Sequence, residues 1–190
     1  MLGEEQANEK IKNFKCDLNI EIESFIKERA IDFSKKSIAE TFIVSTKYRE
    51  KDVIVAYFTL TYKIISVQKN TFTGKIKKRI FRFAQFDEEK NYYLIPLPLI
   101  GQIGKNYFKN YNNLISGEEL LNLAFNKIKE VQDIVGGRFT FIECSDNKKL
   151  KAFYENNGFK QFSERKINAN DKYYNSDEYL VQMIIDLSNY

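Results

Sequence analysis

Apolar residues in this chain change their spacing several times, and each change predicts an element. From Leu18 to Ala39 the positions Ile22, Phe25, Ile26, Ile31 and Phe33 follow a rough helical period with charged residues between them. Thr41–Thr46 reads as a strand, 48–52 as a polar turn, and Val53–Val67, rich in β-branched and aromatic residues, as a long strand. A second apolar strand, Tyr92–Ile103, is punctuated by Pro96, Pro98, Gly101 and Gly104, which a fully paired central strand is not expected to tolerate. Helical spacing returns over Gly117–Val135, where Leu120, Leu121, Leu123, Ala124, Ile128 and Val131 form an apolar face and Gly136-Gly137 ends the helix. Arg138–Cys144 reads as a strand, Asn147–Asn157 as a helix closed by Gly158, Phe159–Phe162 as a short extended stretch, and Tyr179–Leu187 as the last strand. Residues 4–12 form a polar helical lead-in, 13–17 a short strand, and 163–177 a polar loop.

Residues 68–91 interrupt this order as a basic insertion. Ile76, Ile80, Phe83 and Ala84 recur at helical spacing among Lys69, Lys75, Lys77, Lys78, Arg79 and Arg82, with no acid in that run, and an acidic turn follows at Asp87-Glu88-Glu89. The segment is either a docking face for an anionic partner such as RNA or an ordinary solvated helix face.

The 190 residues, 43% of them apolar, suit one compact domain over 1–190 with no visible boundary. Two cysteines, Cys16 and Cys144, and no histidine leave no imidazole for a structural zinc site or a triad, so no metal is expected. Both cysteines read as small core residues. No apolar run is long enough to span a bilayer and the N-terminus has no apolar leader, so a cytoplasmic protein without a membrane partner is expected. The net charge of +4 adds little; the local concentration at 69–82 matters more.

The richest stretch is 94–159. The punctuated strand leads through an Asn- and Tyr-rich loop, 106–115, into Ser116-Gly117-Glu118-Glu119, a capping-box pattern at a helix start. A kinked strand feeding a helix N-terminus is a natural cradle for a phosphate-bearing ligand, because the first amides of a helix lack partners within it. The alternative is a kinked strand whose glycines serve geometry alone.

Further on, Asn147-Lys-Lys-Leu-Lys-Ala-Phe153-Tyr154-Glu-Asn-Asn-Gly158-Phe159 resembles the signature of the GNAT superfamily of acetyl-CoA-dependent N-acetyltransferases. Asn precedes Phe-Tyr by six and seven residues, and Gly-Phe follows the Tyr by four and five. Ile100-Gly101-Gln102-Ile103-Gly104 is similar to the strand whose backbone receives the pantetheine arm in that superfamily. Phe14-Lys-Cys16-Asp with Ile22, Phe25, Ile26 and Ala30 resembles the opening of a subgroup that includes toxin-type acetyltransferases. One departure is clear: where the superfamily's pyrophosphate loop has Gln or Arg followed by glycines, this chain has Asn112-Asn-Leu-Ile-Ser116-Gly117, and only Gly117 matches.

The resemblance implies an α/β GNAT fold, a mixed and mainly antiparallel sheet with a splayed central strand pair flanked by helices. It implies acetyl-CoA as acetyl donor and a primary amine as acceptor, whether small molecule, peptide or aminoacyl-tRNA, attacking the thioester directly. Gln102, Ile103, Gly104, Asn112, Ser116, Gly117 and Asn147 are then expected to bind the donor, and Tyr154 to be the general acid. A phenol protonated at neutral pH can hand its proton to a departing thiolate. Tyr154 read without the motif is a packing aromatic, and Asn147 a helix cap. No residue stands out as general base; Glu143 is as readily an outward-facing strand residue. Transfer RNA, a second copy of the chain and an antitoxin-type protein are the macromolecular partners the resemblance raises. The competing class is a GNAT-like module without catalysis that binds nucleic acid or protein through 69–82.

Overall fold

The structure is a computed structural model, and it describes residues 3–167 and 179–190. The polar loop expected over 163–177 lies mostly outside the described residues; its first part is strand instead. The elements run α1 (Glu4–Ile11), α2 (Ile20–Ser24), a π-helical turn (Phe25–Arg29), α3 (Ala30–Lys35), β1 (Glu40–Tyr48), β2 (Lys51–Val67), α4 (Gly74–Ile80), β3 (Gln85–Asp87) and β4 (Tyr92–Lys105). A 3-10 segment (Phe108–Leu114) then leads into α5 (Gly117–Val135), β5 (Phe139–Ser145), α6 (Lys148–Asn156), β6 (Lys160–Lys166) and β7 (Tyr179–Asp186). The strands follow the order β1-β2-β4-β5-β7-β6, with β3 on β4.

Two compact units divide the chain. The first comprises Met1–Thr61 and Ile100–Asn126, the second Tyr62–Leu99 and Lys127–Tyr190. In the first, Ile11, Phe14, Cys16, Phe25, Ile26, Ala30 and Tyr57 form the core that packs α1–α3 on the sheet. Phe14 meets the Tyr57 ring edge-on at 5.2 Å, and Phe25 stacks on it at 6.5 Å. The expected strand at 13–17 is absent. Its backbone is instead tied by Asn106 and Tyr107, with the Lys15 N–H donating to Asn106 Oδ1 at 3.0 Å and the Lys15 carbonyl accepting from Tyr107 N–H at 2.7 Å.

The single helix expected from Leu18 onward is broken by the π-turn, and the sequence carries the reason. Ile26 and Ile31 are five residues apart, a spacing that an α-helix puts on different faces and a widened turn brings closer. The carbonyl of Ile22 accepts the buried Tyr57 hydroxyl at 2.6 Å. β1 and β2 form a two-residue hairpin in which Arg49 (φ 50°) and Glu50 (φ 63°) are both left-handed, the conformation that matches strand twist. A bulge follows where Val44 pairs Ala56 and Ser45 pairs Ile54.

In the second unit, Ile65, Val67, Phe72, Ile80, Ile95, Leu97, Leu99, Phe139, Phe141 and Ile184 make the core. It includes Phe72 and Ile80 of the basic insertion, which is therefore anchored rather than loose. Phe83, expected on the buried face of that helix, is 43% exposed; the chain tightens into a 3-10 turn after Ile80, and Phe81 stacks on Tyr93 at 4.0 Å in its place. Three-residue β3 was too short to leave a period in the sequence.

β4 lies between β2 and β5, so the doubly proline-bearing strand is interior after all. Pro96 and Pro98 share one parity, so both missing N–H groups face the same neighbour and the opposite ladder is untouched. The Thr140 hydroxyl donates to the Pro98 carbonyl at 2.9 Å. On α5, Leu123 (39% exposed) and Val131 (37%) lie at the edge of the buried face, and Phe125 takes the buried place they were expected to share with Leu120, Leu121, Ala124 and Ile128. Among the described residues, no helix is long and apolar enough to cross a membrane.

Candidate functional site

In the first unit, the end of β4 and the start of α5 are joined by Asn106. It is 3% exposed, and its backbone N–H, side-chain amide and Oδ1 are all hydrogen-bonded. Its N–H donates to the Val55 carbonyl (2.8 Å) and its side-chain amide to the Ile54 carbonyl (2.8 Å), both at the β2 bulge. Its Oδ1 accepts from the N–H groups of Lys15 and Phe108, each at 3.0 Å. The chain then turns through Lys109 and Asn110, both left-handed, to reach α5.

The capping box exists in both directions. Glu119 N–H donates to Ser116 Oγ at 3.0 Å, and Ser116 N–H donates to the Glu119 carboxylate at 2.7 Å. Hydrogen bonding from the Ser116 N–H, and from its side chain, holds the exposed Glu119 carboxyl below its ordinary pKa. Two donors expected to face a ligand are thus taken internally, and the Leu120 N–H starts the helix ladder on the Ser116 carbonyl. Gly117 and Glu118 remain as first-turn amides, which helix geometry leaves without an intrahelical acceptor. A cation that sequence reasoning missed stands at this mouth: Lys105 Nζ donates to the Ile115 carbonyl at 3.2 Å. A lysine ending an apolar strand eleven residues before a capping box was the available signal. Exposed Ser116, half-buried Gly117 and Lys105 suit a polyphosphate; Asn112, half-buried, donates to the Asn113 side chain at 3.1 Å.

Gln102, Ile103 and Gly104 lie on the same strand end. A Cβ on Gly104 would stand 2.4 Å from Ile22 Cγ2, so close approach of α2 alone accounts for glycine there. Gln102 donates to the Glu21 carboxylate of α2 at 3.1 Å.

The second unit carries the remaining candidates. Asn147 caps α6, accepting from Lys149 N–H (2.9 Å) and Leu150 N–H (3.3 Å). α6 ends through Gly158 (φ 88°), where Phe159 N–H returns to the Tyr154 carbonyl at 3.1 Å. Tyr154 is buried at 5% exposure, edge-on to Phe153 and Phe159. Burial, with the Cys144 thiol nearby, pushes its phenol well above the ordinary value, so it keeps its proton. Burial also lifts Cys144, to about 11, which makes it an inert core thiol rather than a nucleophile.

Glu143 is neither outward-facing nor a base. Lys63 Nζ donates to both its oxygens at 2.9 Å, Arg165 at 3.1 Å and Gln182 at 2.8 Å. Burial alone would raise its pKa; the Arg165 hydrogen bond, the Lys63 charge and Gln182 outweigh it and hold the carboxyl below the ordinary range. Among the described residues, no group of three or more potential metal ligands occurs.

The seven-stranded mixed α/β architecture is the GNAT acyltransferase fold. It is similar in fold to the toxin AtaT and to KacT. AtaT complexed with acetyl-methionyl-tRNAfMet superposes with a TM-score of 0.59 at 18% identity, covering 90% of this chain and 85% of that one. A tyrosine-to-phenylalanine mutant of KacT gives the same TM-score, identity and coverage. A tyrosine-to-phenylalanine mutant of AtaT, bound to the C-terminus of the antitoxin AtaR and acetyl-CoA, gives 0.58 at 15% identity over 95% of this chain and 87% of that one. No family model and no curated protein matches the chain.

Proposed function

We propose that this protein is an acetyl-CoA-dependent N-acetyltransferase that transfers an acetyl group to a primary amine by direct attack on the thioester. The observation that carries the reading is α6. It combines the Asn147…Tyr154…Gly158-Phe159 motif, with its cap and glycine turn formed, and a fold shared with proteins solved with acetyl-CoA. Acetyl-CoA, when bound, supplies the activated acyl group.

The chain's own residues divide the work. Gly117 and Glu118 amides, Ser116 and Lys105 hold the diphosphate, with Asn112 at the rim of the loop. Gln102, Ile103 and Gly104 line the donor arm, and the Ile103 and Gly104 amides stabilise charge developing on the carbonyl oxygen. Tyr154 gives its proton to the leaving sulfur. Asn147 acts chiefly by capping and positioning α6.

Aminoacyl-tRNA is the acceptor we favour within the amine class, because AtaT has been solved with an acetyl-aminoacyl-tRNA and the insertion at 68–91 exposes Lys69, Lys75, Lys78 and Arg82. A protein antitoxin is the corresponding partner, as AtaR is for AtaT. The experiment is calorimetric titration with acetyl-CoA beside a thiol-release assay with pooled amines and charged tRNA. Binding at micromolar concentration with turnover of one acceptor class supports the reading; absence of binding removes it and leaves the non-catalytic module.

A further inference from the structure

Acetyl transfer needs a place for the acceptor amine, and at neutral pH a primary amine arrives as a cation. In the first unit Glu21 and Glu23 are the half-buried carboxylates among the described residues, and the others are exposed. Glu23 takes the Cys16 N–H at 2.9 Å and Lys27 at 2.6 Å, Asp32 pairs with Lys36, Glu4 with Lys35, and Glu119 closes the capping box. Glu21 differs. Its Oε1 accepts from Gln102 of β4 at 3.1 Å, and among the described residues it forms no ion pair. Three features hold it there: the Asn19 side chain caps α2 by accepting from Glu21 N–H at 2.9 Å, Tyr57 binds the Ile22 carbonyl, and Gly104 lets Ile22 approach β4. A half-buried, uncompensated carboxylate is thus fixed beside the strand residues assigned to the acyl donor.

We propose that Glu21 is the acceptor-amine subsite: the carboxylate, oriented by Gln102, attracts the cationic amine of the acceptor through its charge. The inference rests on the acetyltransferase reading and deepens it by naming the residue that selects a cation. Reduced water around a half-buried carboxylate strengthens its attraction for an ammonium relative to a surface pair. Glu21 forms no bond to the acetyl carbon; it sets where the nitrogen sits, and the bound ammonium releases one proton to solvent water before the neutral amine attacks, its second proton leaving to water as the tetrahedral intermediate collapses.

The test uses the full chain, its Glu21→Gln variant and two probes. Phenylalaninamide is a reactive amine, and its N,N,N-trimethyl analogue is a cation that cannot be acetylated. With CoA present, calorimetry should show the trimethyl analogue binding wild type at least tenfold more tightly than Glu21→Gln. For phenylalaninamide, KM should rise about tenfold while kcat stays within threefold and acetyl-CoA affinity within twofold. A loss of packing alone would not produce that split. Equal binding of the analogue by both proteins, or binding by neither, overturns the inference. The acetyl-CoA titration judges the acetyltransferase reading separately, since Glu21 is not assigned to the donor.

Discussion

Gly104 and Ile22 compete for one volume: a Cβ at residue 104 would lie 2.4 Å from Ile22 Cγ2 and 3.3 Å from its Cδ1. The contact decides how near α2 comes to β4, and so where Glu21 meets Gln102. Gly104→Ala should cost about 1–3 kcal/mol through overpacking, because a β-branched side chain has few rotamers with which to yield. Chemical denaturation measures it. Ile22→Ala in the same chain should recover most of the loss, and a double-mutant cycle without coupling would contradict the contact.

Tyr154→Phe keeps the ring and removes the hydroxyl. Thiol release should fall at least a hundredfold while acetyl-CoA affinity and the unfolding midpoint change little. Because burial raises the phenol's pKa, wild-type activity should show no alkaline limb from Tyr154 up to pH 10. A rate profile turning down near pH 9 in wild type and not in the variant would contradict the burial.

Asn147→Ala removes two accepted hydrogen bonds at the start of α6. The expected loss is about 0.5–2 kcal/mol of stability. Asn147→Asp or Asn147→Ser, which also cap, should restore stability and acetyl-CoA affinity together. Restored stability with affinity still lost would instead assign Asn147 direct contact with the donor.

The Glu143 cluster gives a pH dependence with a definite sign. Its folded pKa is below the ordinary carboxylate value, so its contribution is complete above about pH 4.3 and is lost as pH falls through the lower folded value. Glu143→Gln leaves Lys63 and Arg165 facing a neutral amide. With Lys63 39% exposed, the cost is discounted to about 2–3 kcal/mol. Denaturation midpoints between pH 3 and 6 should fall more steeply in wild type than in the variant.

Arg79 donates to Asp186 at 3.1 Å, and Asp186 is also gripped by Arg138 at 2.9 Å, so Arg79 tethers the basic insertion to β7. An RNA test should therefore spare it and change Lys75, Lys78 and Arg82, which are exposed. If the insertion binds RNA, the triple alanine variant should bind charged tRNA at least tenfold more weakly at low salt. Its salt dependence should also be shallower, since three phosphate contacts release counterions. Filter binding across a salt series checks this; unchanged affinity and slope would assign RNA contact elsewhere.

The regular elements were legible because each had a local cause. A run rich in β-branched and aromatic residues made β2, the apolar face over Leu120–Ile128 made α5, and Ser116 with Glu119 announced a capping box that then appeared in both directions. The α6 signature was legible for the same reason: its spacing sets cap, ring and turn within one helix. The strand expected at 13–17, by contrast, failed because its backbone partners, Asn106 and Tyr107, lie some ninety residues away.

By itself, then, the sequence determined the strands β1, β2, β4, β5 and β7, where α5 and α6 begin, and which superfamily signature α6 resembles; propensity, capping and spacing act within a few residues. Tertiary structure alone decided that Glu143 is saturated by Lys63, Arg165 and Gln182, that Lys105 stands at the mouth of α5, and that Gln102 holds Glu21. A carboxylate's charge, burial and freedom to bind depend on what the fold brings against it, and those partners come from strands and helices that no local pattern connects.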